Sequence, residues 1–184
     1  MAPRFGRAVL TLLAFGFIAP GNTAPPAKTI KEIFVTLKEG DLAPDFTAPT
    51  EGGTPVILST FLATTAKGKS VVLYFYPKDD TPGCTIEACA FRDRAADFSQ
   101  KNAVVLGVSL DGADSHRSFK TKFGLPFLLL SDVGGNISRA YGVLNEEKGR
   151  SARWTFVIGP DRRIRKIFPN VSVEGHAAEV LSAL

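Results

Sequence analysis

The residues most able to do chemistry in this 184-residue chain are its two cysteines, Cys84 and Cys89, which lie five residues apart. This spacing is not the Cys-x-x-Cys pattern of dithiol redox motifs. Two thiols are also too few for a structural zinc site, and neither histidine lies near them in sequence. Two alternatives remain: a plain structural disulfide, or a pair of thiols with redox chemistry.

The position of Cys84 favours the redox alternative. Ser70 to Tyr76 has the length and composition of a buried strand, and Thr81 followed by Pro82 is typical of a helix start. Cys84 therefore falls in the first turn of a helix, where free N–H groups and the helix dipole stabilise a thiolate. A disulfide closing so short a loop would also remove little chain entropy.

The elements that must position these cysteines alternate between strand and helix patterns. Phe91, Ala95 and Phe98 recur at helical spacing, so one helix from Pro82 through Phe98 is predicted to pack one face inward. Further strands are predicted at 103–109, 127–130, 153–158 and 163–168, further helices at 114–123, 136–141 and 174–184, and short strands or a hairpin within 45–59. The alternation predicts an α/β, three-layer thioredoxin-like fold with a mixed, mostly parallel central sheet flanked by helices.

The N-terminus has a different composition from the rest of the chain. Arg4 and Arg7 precede an apolar run from Ala8 to Ala19, too short to span a bilayer but suited to a secretory signal. We therefore predict a signal segment over 1–24, a linker over 25–37 and one domain over 38–184. Export, to the periplasm, is the expected location, with a membrane anchor formed by an uncleaved segment as the alternative.

Composition argues against several other classes of function. The net charge is only +4, and the most basic stretch, Arg162 to Lys166, has the alternation of an exposed strand face. We expect no nucleic-acid partner, no stable membrane partner, no cofactor and no metal. Asp79 and Asp80 are expected to be solvated turn residues, His116 to be structural and His176 to be incidental.

The stretch from Tyr74 to Cys89 resembles the active-site sequence of peroxiredoxins, in particular the bacterioferritin-comigratory-protein or Q-type subfamily. Its core is Pro77-Lys-Asp-Asp-Thr81-Pro-Gly-Cys84, and Cys89 follows. Further segments match the same family, namely Gly40 to Phe46, Gly107 to Asp111 with Ser115-His116 after it, Leu125 to Asp132, and Arg153 with Thr155 to Ile158. The similarity extends from about residue 39 to the C-terminus.

This resemblance implies a thiol peroxidase that reduces hydrogen peroxide and organic hydroperoxides. Cys84 would be the peroxidatic cysteine and Cys89 the resolving cysteine, which form an intramolecular disulfide in a monomer. Thr81 would hydrogen-bond the thiolate and the peroxide, Arg153 would stabilise negative charge, and Pro77 would shield the site from water. A dithiol such as thioredoxin would regenerate the enzyme.

Some features leave room for other interpretations. Glu87 either orients Arg153 or is a surface residue of the helix. Trp154 stands where a smaller residue is expected, and strand alternation places it on the face opposite Arg153. A thiol–disulfide exchange protein and a binding module with a structural bridge are the competing functions. Disulfide exchange, however, needs neither the Thr81–Cys84 spacing nor Arg153.

The N-terminal composition generates the first testable prediction. The mature protein is expected to begin between about residues 22 and 28 and to be found outside the cytoplasm, because a short apolar run after two arginines is typical of a cleaved signal. N-terminal sequencing of protein isolated from its native host measures this. An intact Met1 on protein in the soluble cytosolic fraction would refute export.

Overall fold

The computed structural model describes residues 36–184. The predicted signal segment and nearly all of the linker lie outside these residues. The strands are β1 (Thr47–Pro49), β2 (Pro55–Ile57), β3 (Ser70–Phe75), β4 (Ala103–Ser109), β5 (Leu128–Ser131), β6 (Leu144–Asn145), β7 (Arg150–Ser151), β8 (Trp154–Ile158) and β9 (Ile164–Phe168). The helices are α1 (Leu58–Ala63), α2 (Pro82–Asp93), α3 (Ala95–Gln100), α4 (Ala113–Phe123), α5 (Asn136–Ala140) and α6 (His176–Ser182).

The central sheet has five strands in the order β5-β4-β3-β8-β9. β3 pairs in parallel with β4, and β4 with β5, whereas β8 is antiparallel to both of its neighbours. Four strands therefore run in one direction and β8 runs in the other, which confirms the predicted mixed, mostly parallel sheet. β1 and β2 form an antiparallel hairpin, one of the two arrangements expected within residues 45–59.

Both faces of this sheet are covered, because β3 is apolar on both sides. Leu73 and Phe75 belong to a core shared with α1 and α5, while Val72 and Tyr74 belong to a second core shared with α2, α4 and α6. All four side chains are fully buried. Near-continuous apolar strands are expected where helices cover both faces. The result is the three-layer arrangement that the sequence predicted.

The same topology places the candidate site. The three parallel strands β3, β4 and β5 end at one edge of the sheet, where ligands commonly bind in open α/β folds. The segment from Tyr76 to Thr81 leaves β3 at this edge and leads directly into α2. Leu110 and Asp111 follow β4 at the same edge. Residues far apart in sequence therefore meet around the first turn of α2.

The structure corrects the prediction of a single helix through Phe98. The helix ends at Asp93, Arg94 leaves helical geometry with φ −109° and ψ 12°, and α3 starts at Ala95. Phe91 and Phe98 still meet, with their ring centroids 5.6 Å apart. One non-helical residue barely disturbs the apolar periodicity, so the pattern did not reveal the break. The short elements α1, β6 and β7 were also not predicted.

Close packing between β4 and its neighbours generates a stability prediction. A methyl group at Gly107 would lie 2.8 Å from the Tyr74 ring and 2.8 Å from Cδ2 of Leu129, both fully buried. Gly107→Ala should therefore lower the free energy of unfolding by about 1–3 kcal/mol, as overpacking of a core does. Urea unfolding measures the change. Gly52→Ala is the control, because its added methyl would meet only Thr50 Oγ1 at 3.7 Å; equal losses in both variants would contradict the prediction.

Candidate active site

Cys84 and Arg153 form the centre of the site. Cys84 is the third residue of α2, and its side chain is 1% exposed. Arg153 immediately precedes β8, and its Nη2 donates a hydrogen bond to Cys84 Sγ at 3.3 Å. The fold thus brings together two predicted site residues that are 69 positions apart. The Arg153 guanidinium and the N-terminus of α2 therefore both lie beside the Cys84 sulfur atom, where each favours negative charge.

Glu87 holds Arg153 in place. Arg153 Nη1 donates a hydrogen bond to Glu87 Oε2, and the Glu87 side chain is only 1% exposed. Glu87 lies one turn after Cys84 on α2, so one guanidinium bridges both side chains. Of the two alternatives for Glu87, the orienting role is confirmed and the surface role is wrong. Gly83 leaves room for the guanidinium, since a Cβ there would lie 3.3 Å from Arg153 Nη2, the nitrogen that contacts Cys84 Sγ.

The electrostatics of this bridge favour charge on the arginine. Burial opposes ionisation of Arg153, but the charges of Glu87 and Cys84 and their hydrogen bonds outweigh it and raise the Arg153 pKa further. Burial also raises the pKa of Glu87 to about 7, because desolvation of the carboxylate outweighs the attraction of Arg153. The Glu87 carboxyl therefore changes its charge near neutral pH while the guanidinium stays cationic.

Thr81 and Pro77 lie at the mouth of the site. Both line a cavity of about 590 Å³ that also contacts Arg153. Thr81 is the N-cap of α2, as predicted, with extended φ −93° and ψ 150°. Its hydroxyl, however, donates a hydrogen bond to the Lys78 carbonyl at 3.1 Å. Since a hydroxyl has one proton to donate, the implied donation from Thr81 to the Cys84 thiolate is not made in this conformation.

Asp79 is not a solvated turn residue, which corrects the sequence prediction. It is 6% exposed. Its carboxylate accepts hydrogen bonds from Tyr76 Oη and Ser115 Oγ, both at 2.7 Å, and lies 2.9 Å from His116 Nδ1. Burial would raise the Asp79 pKa, but these hydrogen bonds and the nearby His116 lower it overall. This cluster anchors the loop that carries Pro77 and Thr81.

The position of Asp79 after β3 and of Asp111 after β4 was the signal that could have revealed this cluster. Parallel strands end at one edge, and the Asp79 backbone N–H donates to Asp111 Oδ2 at 2.8 Å there. His116 is structural, as predicted. His176 is not incidental: it is 1% exposed, and its Nε2 lies 2.8 Å from Thr155 Oγ1.

Cys89 lies on the same helix as Cys84, and both thiols are free. Cys84 is buried, whereas Cys89 is half-buried. Five residues along a regular helix separate two Cα atoms by about 8.6 Å, as follows from the helical rise and radius. A disulfide requires about 4.4–6.8 Å. The two sulfurs therefore cannot form a bond while α2 stays intact.

Trp154 packs on the face of β8 opposite Arg153, with its ring stacked on Phe156 at 6.1 Å, as strand alternation predicted.

Within residues 36–184, no group of three His, Cys, Asp or Glu side chains is placed to hold a metal ion. Over the same residues, no helix is long and apolar enough to cross a membrane.

A buried thiol at the start of a helix, paired with an arginine at the strand-end edge of a thioredoxin-like sheet, defines a thiol-based oxidoreductase. Residues 40–167 match the AhpC/TSA family. The peroxiredoxin Bcp of Bacillus subtilis (strain 168) is 42% identical over 156 residues, which cover 82% of this chain and 96% of that protein.

Two solved structures extend the comparison. The structure of peroxidoxin BcpB from Mycobacterium tuberculosis superimposes with a TM-score of 0.75 at 36% identity and covers 80% of this chain and 96% of its own. The second structure is of the Xanthomonas campestris bacterioferritin comigratory protein and concerns the alkyl peroxide reduction activity of that protein. It has a TM-score of 0.67 at 34% identity and covers 75% of this chain and 88% of the other. The chain belongs to the AhpC/TSA family, as a peroxiredoxin of the Bcp or Q type. It is a thiol peroxidase.

Burial of Glu87 generates a pH-dependence prediction. A carboxyl whose pKa is higher in the folded chain than in the unfolded chain stabilises the fold most at pH values below its unfolded-state pKa. This contribution to stability is lost as the pH rises to its folded-state pKa. The unfolding free energy of wild type minus that of Glu87→Gln should therefore decrease, by on the order of 3 kcal/mol, between pH 4.5 and about 7. Urea unfolding at several pH values gives this difference. A difference that stays constant or rises with pH would be inconsistent with the buried carboxyl.

Proposed function

We propose that Cys84 is the peroxidatic cysteine of this enzyme. Its thiolate attacks the terminal oxygen of a hydroperoxide, an S–O bond forms, and the O–O bond breaks. The leaving oxygen takes a proton and departs as an alcohol, or as water when the substrate is hydrogen peroxide. The thiol is oxidised to a sulfenic acid. The observation that carries the proposal is the hydrogen bond from Arg153 to the buried Cys84 sulfur.

Arg153 acts at two stages of this step. In the resting site its guanidinium donates a hydrogen bond to Cys84 Sγ at 3.3 Å and so holds a cation beside the nucleophile. As the O–O bond breaks, negative charge moves from sulfur to the leaving oxygen, and the same cation stabilises it. The bond to Glu87 keeps the guanidinium oriented, so little reorganisation is needed during the reaction.

Cys89 is the resolving cysteine in this proposal. Its thiolate attacks the sulfenic sulfur of Cys84, an S–S bond forms, and the hydroxyl group leaves as water. Because an intact α2 keeps the two cysteines apart, residues 82–90 must unwind before this bond can form. Resolution within one chain needs no second subunit, and a monomer is therefore sufficient.

An external dithiol closes the cycle by thiol–disulfide exchange. Unwinding of α2 carries the disulfide out of the buried site, where a thioredoxin-like reductant can reach it. The proposed substrates are hydrogen peroxide and organic hydroperoxides; the alkyl peroxide reduction activity named for the Xanthomonas campestris relative supports the organic class. We also propose that the chain is exported to the periplasm, or anchored by an uncleaved segment; Arg4, Arg7 and the apolar run after them support this.

The two cysteines generate distinct variant phenotypes. Cys84→Ser should abolish peroxide consumption, because no thiolate is left beside Arg153. Cys89→Ser should consume about one equivalent of peroxide and then stop, with a sulfenic acid on Cys84 that cannot be resolved. Stopped-flow peroxide consumption and mass spectrometry after trapping of the sulfenic acid measure both outcomes.

Arg153→Ala serves as the matched comparison, since it keeps both thiols and removes the guanidinium that bonds Cys84 and Glu87. Its first step should slow by about 10²–10³-fold, the scale for loss of one preorganised donor. Arg165→Ala, an exposed surface residue paired with Asp161, should leave the rate unchanged. Substantial peroxidase turnover by Cys84→Ser would rule out this mechanism.

A further inference from the structure

His176 is buried where α6 begins. It is the first residue of that helix, and its side chain is only 1% exposed. Its ring lies edge-on to Phe91 of α2 and to Phe168 of β9, with ring centroids 5.7 and 5.5 Å away. The imidazole therefore packs at the junction of α2, α6 and the central sheet.

One hydrogen bond fixes the direction of this ring. The His176 Nε2 atom lies 2.8 Å from Oγ1 of Thr155, which is fully buried on β8. The Nδ1 atom has no hydrogen-bond partner within residues 36–184, and the Glu179 carboxylate is 3.6 Å from it. Loss of the Thr155 contact would leave a polar atom of each residue buried without a partner, which is unfavourable. The bond therefore ties α6 firmly to β8.

The imidazole is neutral at neutral pH. Burial lowers the His176 pKa and outweighs the opposite effect of Glu179, and the positive charge of Arg153 lowers the pKa further. A neutral ring shares one proton with the Thr155 hydroxyl and adds no second positive charge near Arg153. The same electrostatic effect shows that His176 and Arg153 are neighbours in the fold.

The bond between Thr155 and His176 lies beside the backbone that carries Arg153. Arg153 and Thr155 are two residues apart at the start of β8, so their side chains point to the same face of the sheet. The Arg153 carbonyl accepts a hydrogen bond from the Val171 N–H at 3.0 Å. The connection between β9 and α6, residues 169–175, is thus bonded to this part of the chain at Val171 and held to Thr155 by the residue that follows it.

We propose that His176 is a positioning residue for Arg153, on which it acts through Thr155 and the connection between β9 and α6. Glu87 orients the guanidinium from α2, and the His176 bond fixes the strand end from which the guanidinium extends. The guanidinium contacts Cys84 Sγ, and a misplacement of about 1 Å at a reacting centre can cost about 10²-fold in rate. This inference rests on the proposed role of Cys84 and assigns a further residue to the same reaction.

The test measures the second-order rate constant for oxidation of Cys84 by hydrogen peroxide, in a Cys89→Ser background where only this step occurs. His176→Leu and Thr155→Val remove the hydrogen bond from either side, and Thr155→Val keeps a side chain of similar shape. Each should slow the oxidation by about 10-fold, because the guanidinium is less well placed. The double variant should be about as slow as either single variant, because both changes remove the same bond.

Conservative variants separate positioning from packing. His176→Gln keeps a side-chain amide that can bond Thr155, and Thr155→Ser keeps the hydroxyl, so both should stay near the wild-type rate. Val180→Ala is the matched control and should leave the rate unchanged, because it removes buried packing from the same helix, one turn after His176. In chains that retain Cys89, none of these variants should slow formation of the disulfide, since α2 is unwound in that step.

Wild-type oxidation rates in both His176→Leu and Thr155→Val would overturn this positioning role. So would equal slowing in Val180→Ala, additive losses in the double variant, or failure of both conservative variants to restore the rate. If His176→Leu does not fold, Thr155→Val decides the outcome, because its change in shape is smaller. A wild-type chain whose Cys84 does not react with hydrogen peroxide would instead contradict the proposed role of Cys84.

Discussion

The chemistry proposed for this chain depends on one geometric constraint, which is that both cysteines lie on α2. The proposed reaction of Cys84 with peroxide needs α2 intact, because only then do the first helical turn and Arg153 both lie beside the sulfur. The disulfide with Cys89 needs the same turns opened, because a regular helix keeps the two Cα atoms about 8.6 Å apart. Under this proposal the enzyme alternates between a folded form that reacts with peroxide and a locally unwound form in which the Cys84–Cys89 disulfide forms and is reduced.

The surrounding structure would confine the proposed unwinding to a short segment. On the N-terminal side, Asp79 is fixed by hydrogen bonds from Tyr76 and Ser115 and by His116, so the end of β3 is held independently of α2. On the C-terminal side, Phe91 is fully buried and stacks on Tyr74 at 4.8 Å. The break at Arg94 separates α2 from α3, so loss of helix before Phe91 does not have to continue into the next element.

The sequence predicted the sheet, the first turn of α2 and the pairing of Cys84 with Arg153, because strand–helix alternation and a family motif both report on these features. It did not reveal the buried role of Asp79. A solvated and a buried aspartate in a turn have the same local pattern, and the Asp79 partners Ser115 and His116 lie 36 and 37 residues away. The orienting role of Glu87 stayed open for a similar reason, since its partner is 66 residues away.

Amide hydrogen exchange in the reduced and oxidised forms tests the central claim most directly. If α2 must unwind for Cys84 and Cys89 to bond, amides of residues 83–90 should exchange slowly in the reduced chain and rapidly in the oxidised chain, since their helical hydrogen bonds are lost. Strand β3 should stay protected in both forms, because the Asp79 cluster and Phe91 hold its surroundings. Equal protection of residues 83–90 in the two redox states would contradict this account and would require the resolving thiol to come from a second chain.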